Sequence, residues 1–192
     1  MKVLKFGGTS MGSTDSLQKV AAILKDNYSN GEQIVVVCSA MSQVTNKLIS
    51  MGQLAEQDRL QEAMTLFNEI REKHIASAKE LDTEQSFDSV SKPLFQELEK
   101  LIQGIGLIHE LSARSVAYLL SFGERLSTRL LTAFLQKTGL PTTQFDSTFI
   151  KTTGINYEED EVNWETTKLL VNETLRSNLQ KNTICVVTGF FG

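Results

Sequence analysis

The apolar positions of this chain change period several times, and the changes divide it into elements. Lys2-Val3-Leu4-Lys5-Phe6 is a short apolar run that enters Gly7-Gly8, which predicts a strand burying alternate side chains and then a tight turn. From about Thr14, Leu17, Val20, Ala21, Leu24 and Tyr28 recur at helical spacing. Ser13 or Thr14 can cap that helix, Asp15 suits its dipole, and Asn30-Gly31 ends it. Ile34 to Cys38 is continuously apolar, as in a parallel strand covered on both faces. Strand, helix and strand make a βαβ unit, whose crossover is right-handed. The second strand enters a hydroxyl-rich turn, Ser39 to Asn46, before a helix carrying Leu48, Ile49 and Leu54.

From about 58 to 138 the pattern is helical. Leu60, Ala63, Met64, Phe67 and Ile70 trace one stripe, prolonged from His74 to Leu81. Pro93 suits the first turn of a new helix, and Gly104 and Gly106 mark a break. Leu111, Ser115, Tyr118, Leu119 and Phe122 keep a helical period, which Gly123-Glu124 interrupts before a second apolar stretch from Leu126 to Leu135. Gly139 closes that helix. Thr142 to Asp146 predicts a strand and Ile150 to Tyr157 a loop or small hairpin. A helix starting near Trp164, the apolar strand Ile184 to Thr188 and a glycine-flanked turn, Gly189 to Gly192, complete the pattern. The fold class is α/β with a largely parallel sheet and a helical insertion.

Composition narrows the function. With 41% hydrophobic and 22% charged residues in 192, the chain is an ordinary globular one with enough length for a core. A net charge of −4 and a pI near 5.3 argue against a nucleic-acid surface. No apolar run reaches membrane-spanning length, and the opening strand leaves no room for a leader's apolar core, which points to the cytoplasm. Cys38 and Cys185, inside apolar runs, read as small buried hydrophobes, and isolated His74 and His109 as surface or helix-packing residues; no metal ligand set is expected.

Two strands deliver polar turns to the same sheet edge, where ligands of open α/β sheets bind. At Lys5-Phe6-Gly7-Gly8 a cation, flexible backbone and a following helix N-terminus favour an anion, phosphate above all; the alternative is a plain tight turn. The spacing fits neither a Walker A motif nor the dinucleotide fingerprint. Ser39 and Thr45 stand either as helix caps or as contacts to a small substrate. Glu124, among apolar neighbours, is either paired with Arg114, Arg125 or Arg129 or held for a cationic ligand group.

Taken together, Lys5-Phe6-Gly7-Gly8-Thr9-Ser10, Val37-Cys38-Ser39-Ala40-Met41 with Thr45-Asn46, Ser121-Phe122-Gly123-Glu124-Arg125-Leu126-Ser127 and Val187-Thr188-Gly189-Phe190-Phe191-Gly192 resemble the aspartate kinases of the amino-acid-kinase superfamily. The resemblance implies a three-layer αβα fold and transfer of the ATP γ-phosphoryl group to the β-carboxylate of L-aspartate, the first step toward lysine, threonine and methionine. It implies ATP-phosphate contacts at Lys5, Phe6, Gly7 and Gly8, with Lys5 catalytic. It implies aspartate contacts at Ser39, Thr45, Glu124 and Phe190, use of Mg²⁺, and a homo-oligomeric full-length protein. Family kinase domains continue past such a glycine block with a Gly-Arg-Gly-Gly-Ser-Asp-like segment. Residues 1–192 are therefore expected to be an N-terminal, substrate-binding portion lacking the C-terminal part of the fold, binding nucleotide poorly and turning over little or nothing alone. Two competing readings are another amino-acid kinase (acetylglutamate, carbamate or nucleoside monophosphate), against which Ser121 to Arg125 weighs, and a non-catalytic binding or assembly module.

Overall fold

The computed structural model describes residues 1–154 and 160–189. Its elements run β1 (Lys2–Phe6), α1 (Thr14–Ser29), β2 (Ile34–Cys38), α2 (Val44–Glu56), α3 (Leu60–Glu80), α4 (Glu84–Ile108), α5 (Ala113–Lys137), β3 (Thr142–Phe145), α6 (Trp164–Gln180) and β4 (Ile184–Thr188). The four strands form one sheet of order β1-β2-β4-β3, parallel throughout.

Alternation along the central strands builds two cores. Ile34, Val36 and Cys38 of β2, with Ile184 and Val186 of β4, face a large core filled by α1 to α5. Val35, Cys185 and Val187 face a smaller core closed by Phe149 and Leu175 of α6. The result is an αβα sandwich, as the continuous apolar pattern of β2 and β4 requires. Both thiols are buried, and burial pushes Cys38 up to about 12 and Cys185 to about 11, so neither is a thiolate at neutral pH. Among the described residues, no helix is long and apolar enough to cross a membrane.

β1 is an edge strand, paired only with β2 among the described residues; Leu4 and Phe6 pack on the large core, as the expected alternation requires, and Val3 is 62% exposed. Several other expectations are corrected. Pro93 lies deep inside α4, not in its first turn. An internal proline costs a helix about 3 kcal/mol, but Phe87, Ser91, Leu94 and Phe95 are buried on either side of it and the helix continues through. Gly104 and Gly106 do not break α4, which runs on to a left-handed C-cap at His109 (φ 52°). Gly123-Glu124 does not interrupt α5. Of the expected hairpin, Thr152 bridges Val162 in antiparallel sense, and 155–159 lie outside the described residues.

His74 sits fully buried between α3 and α4, stacked on Phe87 and edge-on to Phe95. Its Nδ1–H donates to the Ile70 carbonyl at 2.7 Å, while Nε2 has no partner. Burial, with a contribution from Lys73, lowers its pKa from 6.5 to about 4. The unfolded chain takes up this proton near pH 6.5 and the folded chain only near pH 4. Stability from this residue is therefore complete above about pH 6.5 and falls by roughly 3 kcal/mol toward pH 4. Urea unfolding of wild type and His74→Leu at pH 7 and 5 checks this: the variant is expected to lose less on acidification, and equal losses would clear His74 of the effect.

Candidate functional site

The carboxyl ends of β1, β2 and β4 meet within a few hydrogen bonds. Ser39 N–H donates to the Phe6 carbonyl at 3.0 Å, tying the exits of β1 and β2. Gly189 N–H donates to the Cys38 carbonyl at 2.8 Å, bringing in the exit of β4. A Cβ on Gly189 would lie 3.0 Å from that same carbonyl, so the approach depends on glycine.

α5 crosses this edge with its FGE segment. A Cβ on Gly123 would meet the Ala40 Cβ at 2.7 Å, so only glycine lets the helix come this close to the β2–α2 turn. One residue on, Glu124 Oε1 accepts the Ala40 N–H at 3.1 Å. Ser127, one turn further on the same face, donates to the Ser39 carbonyl at 2.8 Å. Sequence reasoning missed Ser127, although its i+3 spacing from Glu124 placed both on one face.

Glu124 is 5% exposed, and no cation pairs with it among the described residues. The arginines that sequence offered as partners lie elsewhere. Arg129 holds Asp146 with two hydrogen bonds (3.0 and 3.2 Å), and Arg125 bridges Glu97 at 3.0 Å and Asp146 at 3.6 Å while stacking 4.7 Å over the Phe122 ring. Burial works to raise the Asp146 carboxyl, but Arg129, Gln144 and Arg125 together hold it below its usual range. Burial raises the Glu124 carboxyl to about 7, although the Ala40 N–H and its own backbone N–H work to lower it. It is a carboxylate without its cation.

The two turns differ from expectation in one respect. α1 begins at Thr14, and Ser13 caps it by accepting the Ser16 N–H, which satisfies one of that helix end's donors. A separate turn, Met11 N–H to Gly7 carbonyl at 3.0 Å, leaves the N–H groups of Gly8, Thr9 and Ser10 without acceptors among the described residues. Lys5, exposed at the end of β1, has no acidic partner among them. The open helix end belongs to α2. Its N-cap, Gln43, is left-handed (φ 70°) and supplies no side-chain bond, and neither Ser39 nor Thr45 caps it. The Thr45 and Asn46 N–H groups have no acceptor among the described residues. The structure thus places Lys5, Phe6, Gly7, Gly8, Ser39, Thr45 and Glu124 along one edge, while Phe190 lies outside the described residues. Among the described residues no three His, Cys, Asp or Glu side chains converge to hold a metal, so these residues provide no protein-built Mg²⁺ cage.

Comparison with known proteins agrees with this architecture. The profile of the amino acid kinase family matches residues 1–192. Aspartokinase 3, chloroplastic, from Arabidopsis thaliana is 37% identical over 196 aligned residues, covering 99% of this chain and 34% of the relative. Aspartokinase 2, chloroplastic, from the same plant is 35% identical, again over 99% of the chain and 35% of the relative. The solved structure of E. coli aspartokinase III in complex with aspartate and ADP superposes with a TM-score of 0.84 at 22% identity, over 96% of this chain and 40% of that one. The chain spans about a third of the length of these curated relatives. It belongs to the amino acid kinase family.

Proposed function

We propose that this chain forms the substrate-binding part of an aspartate kinase, in which L-aspartate lies between Glu124 and the open end of α2, and ATP phosphates lie over Gly7-Gly8. One observation carries the reading: a buried carboxylate, held by backbone N–H groups, stands without a cation among the described residues at the carboxyl edge of a parallel sheet. An amino-acid ammonium group is the charge it lacks. Ser39, Thr45 and the free N–H groups of Thr45 and Asn46 suit the carboxylates of the same ligand. The matched relatives are named aspartokinases, which favours aspartate over other amino acids.

The proposed chemistry moves a γ-phosphoryl group from ATP to the ligand's β-carboxylate: one O–P bond forms and the bond to the departing ADP breaks. The nucleophile is already ionised at neutral pH, so no general base is required. The burden is bringing two anions together, and Lys5 with the free N–H groups of Gly8, Thr9 and Ser10 offsets their repulsion. Mg²⁺ carried by the triphosphate would shield charge further. Because the chain covers about a third of its relatives, we propose weak nucleotide binding and little turnover for residues 1–192 alone.

The test is an NMR titration of the 192-residue chain. L-Aspartate is expected to shift the amides of Ala40, Thr45, Asn46 and Glu124, and N-acetylglutamate is not. Shifts with acetylglutamate alone would assign another amino-acid kinase, and silence toward both would favour a binding module of another kind.

A further inference from the structure

Besides α5, α3 also reaches the candidate site, through a cation. Lys73, on α3, sends its Nζ to the Ser42 carbonyl at 2.5 Å. Ser42 immediately precedes Gln43, the left-handed residue that opens α2 and that no side chain caps. A non-glycine residue is held in that conformation only when its surroundings over-determine it. Two backbone bonds close the turn locally, Val44 N–H to the Met41 carbonyl at 3.0 Å and Lys47 N–H to the Gln43 carbonyl at 3.2 Å. On its other side Ser42 is wedged against the glycine turn: a Cβ on Gly12 would lie 3.0 Å from Ser42 Cβ. Ser42 is thus gripped between α3 and the end of the phosphate-side turn.

We propose that Lys73 is a positioning residue: by anchoring the Ser42 carbonyl it fixes Gln43 in its left-handed conformation and aims the free Thr45 and Asn46 N–H groups at the amino-acid ligand. The assignment of that ligand rests on the proposed function; the anchoring rests on geometry alone. Desolvation and the neighbouring Lys47 both work against charge on Lys73, whereas Lys47 has its own partner in Glu69 at 2.6 Å. A charged donor kept in such a place, bonded to a backbone carbonyl rather than a carboxylate, is consistent with a role in shaping the turn. It also gives α3 a part in the site beyond packing.

Amide exchange at Val44 and Lys47 reads the anchor directly. In Lys73→Met, which keeps the unbranched stem but not the ammonium, both amides are expected to exchange about tenfold faster, the loss of one charge-assisted hydrogen bond. Amides of β4 and the melting temperature should be unchanged, and Lys73→Arg should restore protection to within about threefold. L-Aspartate affinity should fall about tenfold in Lys73→Met and recover in Lys73→Arg. Unchanged exchange at Val44 and Lys47 would overturn the proposal, as would faster exchange across the whole chain in step with a lower melting temperature. If wild type binds no L-aspartate but the exchange result holds, the ligand assignment falls and the anchoring stands.

Discussion

Replacing Lys5 with Ala is expected to slow phosphoryl transfer about 10²–10³-fold, assayed with the segment in a chain of the relatives' full length. The estimate is that for losing one preorganised electrostatic donor. Lys5 is fixed by its strand rather than by a counter-ion: it lies on β1 in register with Val37, and no carboxylate among the described residues competes for it. Its charge is therefore available to an incoming anion. Because it is exposed and unpaired, the same substitution should change stability by no more than about 0.5 kcal/mol. A rate loss without a stability loss is the signature of a residue spent on ligand. Unchanged turnover would remove Lys5 from the site and leave the glycine turn as a turn.

How far sequence reasoning reached depended on whether a feature was local. β2 and β4 were legible because a run of five apolar residues in β2 and four in β4 fits the middle of a covered parallel sheet. The N-cap of α1 and the C′ glycine at Gly139 (φ 83°) were equally local. Pro93 and the pair Gly123-Glu124 misled because helix-breaking propensity is worth only a few kcal/mol, and burial along the helices that carry them exceeds it. The exposed flank of β1 was unreadable from its own residues, since whether a strand is an edge depends on its neighbours.

The site was legible as a set of residue types but not as bonds. That Glu124 is near Ala40 follows from a chain returning to the same edge after a separation of 84 positions, which no window of sequence contains. The arginines beside Glu124 looked like its partners by proximity in sequence. A helix turns about 100° per residue, so Arg125 points away, onto Phe122 and toward Glu97 and Asp146. Lys73 gave no signal at all: it is one lysine among several on an amphipathic helix until Ser42 is placed beside it.

Glu124→Gln separates the functional from the structural meaning of that buried carboxyl. The amide keeps the shape and can still accept the Ala40 N–H through its oxygen, so the substitution removes charge and little else. Losing a buried charge pair with a ligand ammonium group typically costs about 2–4 kcal/mol, or roughly 30- to 1,000-fold in affinity for L-aspartate. The pH dependence carries the sign. With its carboxyl raised from 4.5 to about 7, the empty site is mostly protonated at pH 6 and mostly ionised at pH 8. Wild-type affinity should therefore rise roughly tenfold over that interval, while the Gln variant stays flat. Stability runs the other way. A carboxyl whose pKa is raised by folding contributes fully below the unfolded value of 4.5 and loses that contribution as pH climbs through about 7. Glu124→Gln should thus be more stable than wild type at pH 8 and no more stable at pH 4, the expected exchange of stability for function at a binding site. Weaker binding together with higher stability at pH 8 identifies a charge kept for a ligand; intact affinity with lost stability would make Glu124 a structural acid and end the aspartate reading.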